Sequence, residues 1–442
     1  MVLEDRKVVV LGLGYVGLPL ATVLAEIGFE VCGVDIRGSM VEATRRGRTP
    51  FYEPGLAPRL KRVVDQGRLR PVSVQPDDFL ADVFIVTVGT PLGQDSRVRL
   101  DMVRHVAQEI ASRLESGNMV ILRSTVKVHT TRRLVKPILD GVGVPYDLAF
   151  CPDRTIEGQA LSELRRLPQI VAGGTGRAAL RATRFFQHLT PTVVRVSSIE
   201  TAEMIKLVDN AQRDVIFAFS NEVAAICDIV GVQAAEVIRA GKLGYPRTDL
   251  PIPGPVGGPC LSKDPYILAE SVEEKGFVPD ILLAGRRRNE AQPEDIASLI
   301  ARYLVKRGIA EGTRVSLLGL AFKGRPPIDD LRGTMARPIL ERLRAHLPLA
   351  KYVAFDPVVS QADIAAFGVE PVVDLTDAFV DANVVIILNN HPIFESMPLE
   401  SLAATMARPG LIYDCWNLFT PVDFELPENV AYVGLGGHTV LD

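Results

Sequence analysis

The residue with the clearest chemical potential is Cys260, which lies near the end of a segment built from proline and glycine. Between Gly244 and Pro265 the chain holds six prolines and four glycines. Because such a composition fits neither a helix interior nor a central strand, we expect a rigid, shaped loop. The loop would hold Cys260 beside Lys263 and Asp264. A neighbouring cation lowers the pKa of a thiol and favours the nucleophilic thiolate, so the sequence predicts a covalent catalytic site.

A single cysteine can also be a small apolar core residue, since cysteine is among the most buried residue types. That interpretation suits Cys32, in an apolar strand pattern, and Cys227, in a helical pattern, and we extend it to Cys151 and Cys415. Five cysteines without paired spacing argue against a disulfide framework. Together with an N-terminus that lacks the pattern of a signal peptide, they predict a protein of the reducing cytoplasm.

A second chemical signal is the run Gly12–Gly17, which has the G-x-G-x-x-G spacing. It follows the apolar segment Lys7–Leu11 and opens a helical pattern that ends near Gly28. Asp35 closes the next apolar segment, where dinucleotide-binding folds carry an acidic residue for a ribose diol. Glycines let the backbone approach a pyrophosphate, and Asp35 would repel a 2′-phosphate. We therefore predict NAD rather than NADP, although Arg37 acts against that preference.

The residues from Val8 to Ala25 carry no charge, and their length alone would allow a short membrane span. The glycines and Pro19 within this stretch favour a buried strand, turn and helix instead. Two further apolar strands are predicted to end in turns with hydroxyl groups, at Thr90 and at Ser124 and Thr125. In a doubly wound sheet such carboxyl ends of strands face the ligand. We find no other candidate for a membrane span.

The C-terminal part of the chain repeats the strand order of the N-terminal part, with Asp356 at the place of Asp35. The repeated copy lacks the G-x-G-x-x-G run. We therefore expect a similar α/β fold that binds a different phosphate-bearing ligand, or none. The strands predicted in this copy are 314–320, 351–356, 382–388 and 410–414.

The segment from Glu200 to Gly241 has no proline and repeats apolar residues at helical spacing. This pattern predicts one long helix with a single break near Gly231. Lys206 and Asn210 are four residues apart and share a face of that helix. Such a pair is more often solvated than functional, and it gains weight only if the helix abuts the Cys260 loop.

A chain of 442 residues is too long for one ordinary core. The sequence predicts an α/β protein with two Rossmann-like doubly wound domains joined by a long central helix. A net charge of −4 leaves no general basic field, so nucleic acid is not expected as a partner. The runs Arg45-Arg46 and Arg286–Arg288 are local positive spots, either solvated faces or anion contacts.

No metal site is predicted. The domain boundaries that we expect are 1–198, 199–300 and 301–442.

Taken together, these motifs resemble the UDP-glucose/GDP-mannose dehydrogenase superfamily, most closely its branch that oxidises UDP-N-acetylhexosamines. The resemblance implies a four-electron oxidation of the C6 alcohol of a nucleotide sugar to a carboxylate, with two NAD⁺ and one water consumed. It also implies a homodimer built on the long helix and a role in making surface polysaccharide precursors. The motifs that carry the resemblance are Gly12–Pro19, Glu53–Leu56, Val88–Pro91, Ser124-Thr125, Cys151–Gly158, Lys206–Asn210, Tyr245–Arg247, Gly257–Asp264, Gly319–Gly324 and Asp329–Arg332.

By the same resemblance, Cys260 would form a thiohemiacetal and then a thioester, and Lys206 and Asn210 would stabilise the developing oxyanions. The C-terminal copy would bind UDP, and Arg247 would reach the substrate of a partner subunit. The catalytic residues implied are Cys260, Lys206, Asn210, Asp264, Asp153, Glu157 and Thr125. The cofactor contacts are Gly12, Gly14, Tyr15, Val16, Gly17, Asp35, Arg37, Thr90, Ser124, Thr125 and Lys263. The substrate contacts are Arg154, Arg247, Gly257, Lys323 and Arg332.

Two positions depart from the family pattern. Asp153 stands where the family usually has glutamate, so a base there would be drawn back by ~1.5 Å, with Glu157 in reserve. Pro259 stands where related bacterial hexosamine enzymes often carry histidine. Arg154 and the run Tyr245–Arg247 favour a hexosamine over UDP-glucose or GDP-mannose as substrate.

Two other functions stay open at this point. The first is a two-electron hydroxyacid or 6-phosphogluconate-type dehydrogenase, which would have no need for the thiol of Cys260. The second is a nucleotide-sugar sensor that kept both pockets and lost its chemistry through Asp153.

Overall fold

The computed structural model describes residues 5–309, 312–420 and 424–437. Contacts divide the chain into two units. The first is formed by residues 1–210 and 266–278, and the second by residues 211–265 and 279–442. Each unit is built around one mainly parallel sheet, which confirms the predicted α/β class with two Rossmann-like domains.

The sheet of the first unit has eight strands. They are β1 (Lys7–Leu11), β2 (Glu30–Val34), β3 (Leu69–Val72), β4 (Val83–Val86), β5 (Met119–Leu122), β6 (Asp147–Phe150), β7 (Gln169–Gly173) and β8 (Val193–Arg195). Their order is β3-β2-β1-β4-β5-β6-β7-β8, and only the β6–β7 pair is antiparallel among them. Alternate residues of β1 enter opposite cores: Val8 and Val10 on one face, Val9 and Leu11 on the other. A strand covered on both faces reads as a continuous apolar run, as β1 does.

The helices of the first unit cover both faces of this sheet. They are α1 (Gly17–Ile27), α2 (Gly38–Arg45), α3 (Leu56–Asp65), α4 (Asp101–Ala111), a π-helical turn at Thr131–Val135, α5 (Lys136–Asp140), α6 (Ala160–Arg166) and α7 (Gly176–Gln187). The uncharged stretch Val8–Ala25 is thus β1, the glycine turn and most of α1, as predicted. Residues 17–25 of α1 are all buried, which explains why none is charged. No helix in the described ranges is both long and apolar enough to cross a membrane.

Five helices follow in the chain: α8 (Ile199–Val230), α9 (Ala234–Lys242), α10 (Gly258–Leu261), α11 (Asp264–Glu273) and α12 (Asp280–Lys306). The long central helix and its break are confirmed, because Gly231 follows α8 with a φ of +80°. The prediction of a loop as far as Pro265 is wrong at its end, where α10 and the start of α11 lie. Pro259 is tolerated in α10 because it occupies the first turn, whose N–H groups have no partner within the helix.

The sheet of the second unit has six strands, all paired in parallel. They are β9 (Arg314–Leu318), β10 (Lys351–Phe355), β11 (Glu370–Pro371), β12 (Val384–Ile387), β13 (Gly410–Asp414) and β14 (Val430–Gly434). Their order is β11-β10-β9-β12-β13-β14. The helices α13 (Ala336–His346), α14 (Gln361–Ala366), α15 (Leu375–Phe379), α16 (Pro392–Glu395) and α17 (Leu399–Ala403) complete this unit.

The predicted repeat is confirmed, because β10-β9-β12-β13 reproduces the order β2-β1-β4-β5. Asp356 follows β10 as Asp35 follows β2, and both carboxylates accept backbone N–H groups of the neighbouring turns. One oxygen of Asp356 accepts the backbone N–H groups of Leu320 and Ala321, and the other accepts those of Val358 and Val359. With four backbone donors, the Asp356 carboxylate stabilises the turns that follow β9 and β10.

Candidate active site

The glycine turn between β1 and α1 has the geometry that a dinucleotide requires. Gly12 has a φ of +100°, and a side chain there would press on the Thr87 backbone at 3.1 Å. A Cβ on Gly17 would overlap the Gly12 carbonyl oxygen, so only glycine allows α1 to approach β1 this closely. Around Gly14, by contrast, nothing lies within 4 Å of a Cβ position. The turn therefore leaves open backbone where a pyrophosphate can approach, and it fits NAD.

Asp35 is buried at the carboxyl end of β2 and is held in a bidentate ion pair. Its oxygens accept Nε and Nη2 of Arg37 at 3.0 Å each, and the backbone N–H of Leu13 donates to Oδ2 at 2.9 Å. Burial raises the pKa of Asp35, but the hydrogen bonds from Arg37 and Leu13 outweigh it and hold the pKa below its ordinary value. Asp35 is thus an anion at neutral pH, and Arg37 is bound to that anion.

Hydrogen bonds join the turn that follows β4 to the turn that follows β5. Oγ of Thr90 donates to the Thr125 carbonyl at 2.5 Å, and Oγ of Ser124 donates to the Val88 carbonyl at 2.7 Å. Because β1, β4 and β5 are adjacent and parallel, these residues share one edge of the sheet with Gly12. Tyr15, another predicted cofactor contact, stacks on Phe51 with ring centroids 4.1 Å apart.

Asp153 forms a buried ion pair that sequence reasoning missed. Nη2 of Arg123 donates to its Oδ1 at 2.7 Å, and the hydroxyl of Thr155 donates to its Oδ2 at 3.0 Å. The Arg123 side chain is only 1% exposed. Both oxygens of Asp153 are therefore engaged, and its charge is neutralised locally. An arginine directly after a fully apolar strand was the available sequence signal, since such a position is buried in a sheet covered on both faces.

The backbone on either side of Glu157 is fixed by two further carboxylates. Glu163 accepts the N–H of Ile156 at 2.7 Å. Glu53 accepts the N–H groups of Gly158 at 2.7 Å and Ala160 at 2.9 Å, which also caps the start of α6. The run Glu53–Leu56 was a recognised motif without an assigned role, and the structure gives it one: it holds the segment that carries Glu157.

The pair Arg154 and Asp209 joins this segment to α8. Nε of Arg154 donates to the Asp209 carboxylate at 3.1 Å. Asp209 stands between Lys206 and Asn210 in the sequence of α8. The structure thus brings Arg154 beside the helix segment that carries two predicted catalytic residues, all within the first unit.

In the second unit, Cys260 is the exposed cysteine, and the other four cysteines of the chain are buried. The N–H of Gly258 donates to the Gly333 carbonyl at 2.7 Å. A side chain on Gly257 would overlap the Gly333 oxygen, and one on Gly258 would overlap the ring of Phe322. The two glycines therefore allow the Cys260 segment to pack directly on the loop that follows β9.

That loop carries both residues predicted to bind UDP. Nζ of Lys323 lies 5.4 Å from the centroid of the Phe322 ring. Arg332 binds Asp330, with Nη2 at 2.7 Å from the carboxylate. Lys323 and Arg332 are thus neighbours of the two residues, Phe322 and Gly333, on which the Cys260 segment rests.

Three more predicted residues, Lys263, Asp264 and Arg247, lie in the second unit. Nζ of Lys263 is 2.6 Å from Oδ1 of Asp264, which is fully buried at the start of α11. The guanidinium of Arg247 lies over the ring of Tyr245 at 4.7 Å. Their catalytic and binding roles stay predictions. Of the two alternatives for Arg286, the structure confirms the anion contact: its side chain is only 1% exposed and binds Asp214 and the carbonyls of Val256 and Leu261.

Comparison with known proteins decides the family. Three models of the UDP-glucose/GDP-mannose dehydrogenase family match in order: the NAD binding domain at residues 6–190, the central domain at 200–291 and the UDP binding domain at 316–421. The chain belongs to this family. It is an NAD-dependent nucleotide-sugar 6-dehydrogenase, an oxidoreductase that acts on a CH–OH group.

Individual members of the UDP-glucose/GDP-mannose dehydrogenase family are similar over nearly the full length. The chain is 32% identical over 436 residues to UDP-N-acetyl-D-mannosamine dehydrogenase of Pyrococcus horikoshii, covering 97% of this chain and 99% of that protein. It is also 32% identical to an NDP-N-acetyl-D-galactosaminuronic acid dehydrogenase of Ralstonia nicotianae, covering 90% and 94%. The solved structure of the UDP-D-ManNAc dehydrogenase from Pyrococcus horikoshii superposes with a TM-score of 0.86 at 29% identity, covering 98% of this chain and 100% of that one.

The Asp35 and Arg37 ion pair predicts how this dehydrogenase selects its cofactor. Asp35→Ala should narrow the kcat/KM preference for NAD⁺ over NADP⁺, because it removes the partner of the ribose diol and releases Arg37 to meet a 2′-phosphate. The double variant Asp35→Ala with Arg37→Ala serves as the control and should lose most of any gain with NADP⁺. A wild type that prefers NADP⁺ would show that Arg37 governs the ribose pocket instead.

Proposed function

We propose that this enzyme oxidises the C6 alcohol of a UDP-N-acetylhexosamine, with UDP-N-acetylmannosamine as the best candidate, to the corresponding uronate. It would act in the cytoplasm to supply precursors of surface polysaccharides. The observation that carries the proposal is the exposed Cys260, seated on the loop of Lys323 and Arg332. The names of the Pyrococcus and Ralstonia relatives support an N-acetylated sugar over UDP-glucose or GDP-mannose.

The proposed chemistry joins two oxidations through one covalent intermediate. The glycine turn Gly12–Gly17 and Asp35 would hold NAD⁺, which would supply the hydride acceptor for each oxidation. The first oxidation turns the C6 alcohol into an aldehyde and releases a proton. The thiolate of Cys260 adds to the aldehyde carbon to give the anion of a thiohemiacetal, and loss of the second hydride from that carbon leaves a thioester. Water then adds to the thioester carbon and the bond between carbon and sulfur breaks, which releases the carboxylate and two protons and restores the thiolate.

The other predicted residues would support this sequence of steps. Lys206 and Asn210 would stabilise the oxyanion of the tetrahedral intermediates, Thr125 would position water, and Asp264 would orient water or a neighbouring charge. For the general base, the engagement of Asp153 by Arg123 and Thr155 favours Glu157. Arg154 and Arg247 would contact the sugar, and Lys323 and Arg332 the UDP. Lys263 would contact the cofactor.

A homodimer through α8 is part of the proposal. Phe219, Ile226 and Ile229 on this helix are 60%, 51% and 85% exposed, and apolar side chains at this density mark an interaction surface. We also propose the three-domain division at residues 198 and 300. A second copy of the chain would supply Arg247 to the site of its partner.

The first experiment compares nucleotide sugars. UDP-N-acetylmannosamine, UDP-N-acetylglucosamine, UDP-glucose and GDP-mannose are supplied in turn, and kcat/KM and the NADH yield are measured for each. We expect a UDP-N-acetylhexosamine to give the highest kcat/KM, because a site built around the acetamido group leaves polar groups unpaired when that group is absent. Best turnover with UDP-glucose or GDP-mannose would refute the substrate assignment and leave the reaction class intact.

The second experiment addresses the thiol. The wild type should form about two NADH per sugar, since both oxidations occur before release. Cys260→Ala should bind NAD⁺ and the nucleotide sugar normally and form almost no uronate. The matched control is Cys227→Ala, which removes a buried cysteine that packs with Ala224 and Ala234. Normal turnover in Cys260→Ala would rule out the covalent mechanism.

The third experiment separates the two carboxylates. Glu157→Gln should stall thioester hydrolysis and leave a covalent adduct on Cys260, detected by intact mass after NAD⁺ and sugar are added. Asp153→Asn should instead lower the free energy of unfolding by roughly 3–5 kcal/mol, because Arg123 is left buried without its anion. The double variant Arg123→Gln with Asp153→Asn should recover part of that loss. A covalent adduct in Asp153→Asn, together with normal turnover in Glu157→Gln, would show that Asp153 and not Glu157 is the general base.

A further inference from the structure

A buried polar cluster lies behind the Cys260 segment and has no role in the chemistry described so far. Its members are Asp214 and Asn221 on α8 and Arg286 and Asn289 on α12, each at most 1% exposed. We refer to these four residues as the anchor cluster. All of them belong to the second unit, as Cys260 does.

Arg286 bridges the two sides of the Cys260 segment. Its Nη1 donates to Oδ1 of Asp214 at 2.6 Å and to the Leu261 carbonyl at 3.0 Å. Its Nη2 donates to the Val256 carbonyl at 3.5 Å. Leu261 directly follows Cys260, and Val256 precedes it by four residues. One rigid, planar guanidinium therefore fixes the backbone both before and after the thiol.

The two asparagines extend this attachment. Asn221 accepts the N–H of Gly254 at 2.9 Å and donates to its carbonyl at 3.1 Å. Asn221 also donates to Oδ1 of Asn289 at 2.9 Å, and Asn289 donates to Oδ1 of Asp214 at 2.8 Å. The anchor cluster is thus one connected network that holds the segment at Gly254, Val256 and Leu261.

On its other side the segment is fixed by the contact of Gly258 with Gly333 and Phe322. Cys260 therefore lies between two attachments, one to the anchor cluster and one to the loop after β9. Stability alone gives a weak reason for such a cluster, since well-packed apolar residues often replace a buried ion pair without loss of stability. The geometry that the cluster imposes on the thiol is the property that an apolar replacement could not supply.

We propose that Arg286, supported by Asp214 and Asn221, is a positioning residue that sets the location of the Cys260 thiol for attack on the aldehyde. This inference rests on the proposed covalent function of Cys260. A displacement of 1 Å at a reacting atom can cost on the order of 100-fold in rate. A lysine at this position would keep the positive charge beside Asp214, but a single ammonium lacks the planar fork that reaches both carbonyls.

The test uses Arg286→Lys in the full-length enzyme. We expect kcat to fall on the order of 100-fold, with the KM values for NAD⁺ and sugar close to those of the wild type. We also expect a change in the pH dependence of Cys260 alkylation by iodoacetamide. The alkylated fraction is measured by mass spectrometry of the peptide that contains Cys260. Arg288→Lys is the matched control, because Arg288 lies on the same helix and pairs with the half-exposed Asp295 at 2.9 Å. That variant should leave both measurements unchanged.

Asn221→Ala provides an independent arm that leaves the ion pair intact and decides the question if Arg286→Lys does not fold. Asn221→Ala should lower kcat, and it should shift the pH dependence of Cys260 alkylation in the same direction as Arg286→Lys does. A folded Arg286→Lys or Asn221→Ala with the kcat and alkylation profile of Arg288→Lys would overturn the proposal. Failure of the proposed covalent function is a distinct result: Cys260→Ala would then turn over normally, while the alkylation profiles of the Arg286 and Asn221 variants would still report on the position of the thiol.

Discussion

Burial of the Arg286 guanidinium is the constraint on which the geometry around the thiol depends. A buried cation is tolerated only when an anion compensates its charge and acceptors receive its N–H groups. Asp214 supplies the anion from α8, and the carbonyls of Val256 and Leu261 supply acceptors. The proline- and glycine-rich segment cannot form a regular element over most of its length, so its path is set by these outside contacts and by the close approach at Gly258 and Gly333.

In the first unit, too, charged side chains hold the segment that carries predicted catalytic residues. The Asp153 carboxylate is neutralised by the buried Arg123, and Glu53 and Glu163 accept the backbone N–H groups on either side of Glu157. Glu53 and Glu163 fix the backbone that carries Glu157, and Arg123 fixes the side chain of Asp153. The glycine turn adds a steric device, because Gly17 permits the close packing of α1 on β1 that presents the turn to a cofactor. In both units, therefore, irregular backbone at strand ends is held by buried charge and by glycine.

Much of this fold could be predicted from the sequence because the apolar periodicity is local information. Four strands of each sheet, the break at Gly231 and the repeated strand order follow from runs of a few residues each, whereas β3, β6, β7, β8, β11 and β14 were not predicted. The roles of Arg286 and Arg123 could not be predicted this way, since each depends on a partner distant in the chain: Asp214 lies 72 residues from Arg286, and Asp153 lies 30 residues from Arg123. A run of three arginines resembles a solvated face until its partner on another helix is known. Likewise, the sequence shows Asp356 at the place of Asp35, but only the structure shows that backbone donors occupy its carboxylate.

The most direct test of the covalent role of Cys260 is ¹³C NMR of the enzyme mixed with a UDP-N-acetylhexosamine 6-aldehyde labelled at C6, in the absence of NAD⁺. Without the hydride acceptor, the reaction should stop at addition of the thiol. We predict a new signal from a tetrahedral carbon bonded to sulfur in the wild type, at the expense of the aldehyde and hydrate signals, and no such signal in Cys260→Ala. The same new signal in Cys260→Ala, or only aldehyde and hydrate in the wild type, would contradict the account.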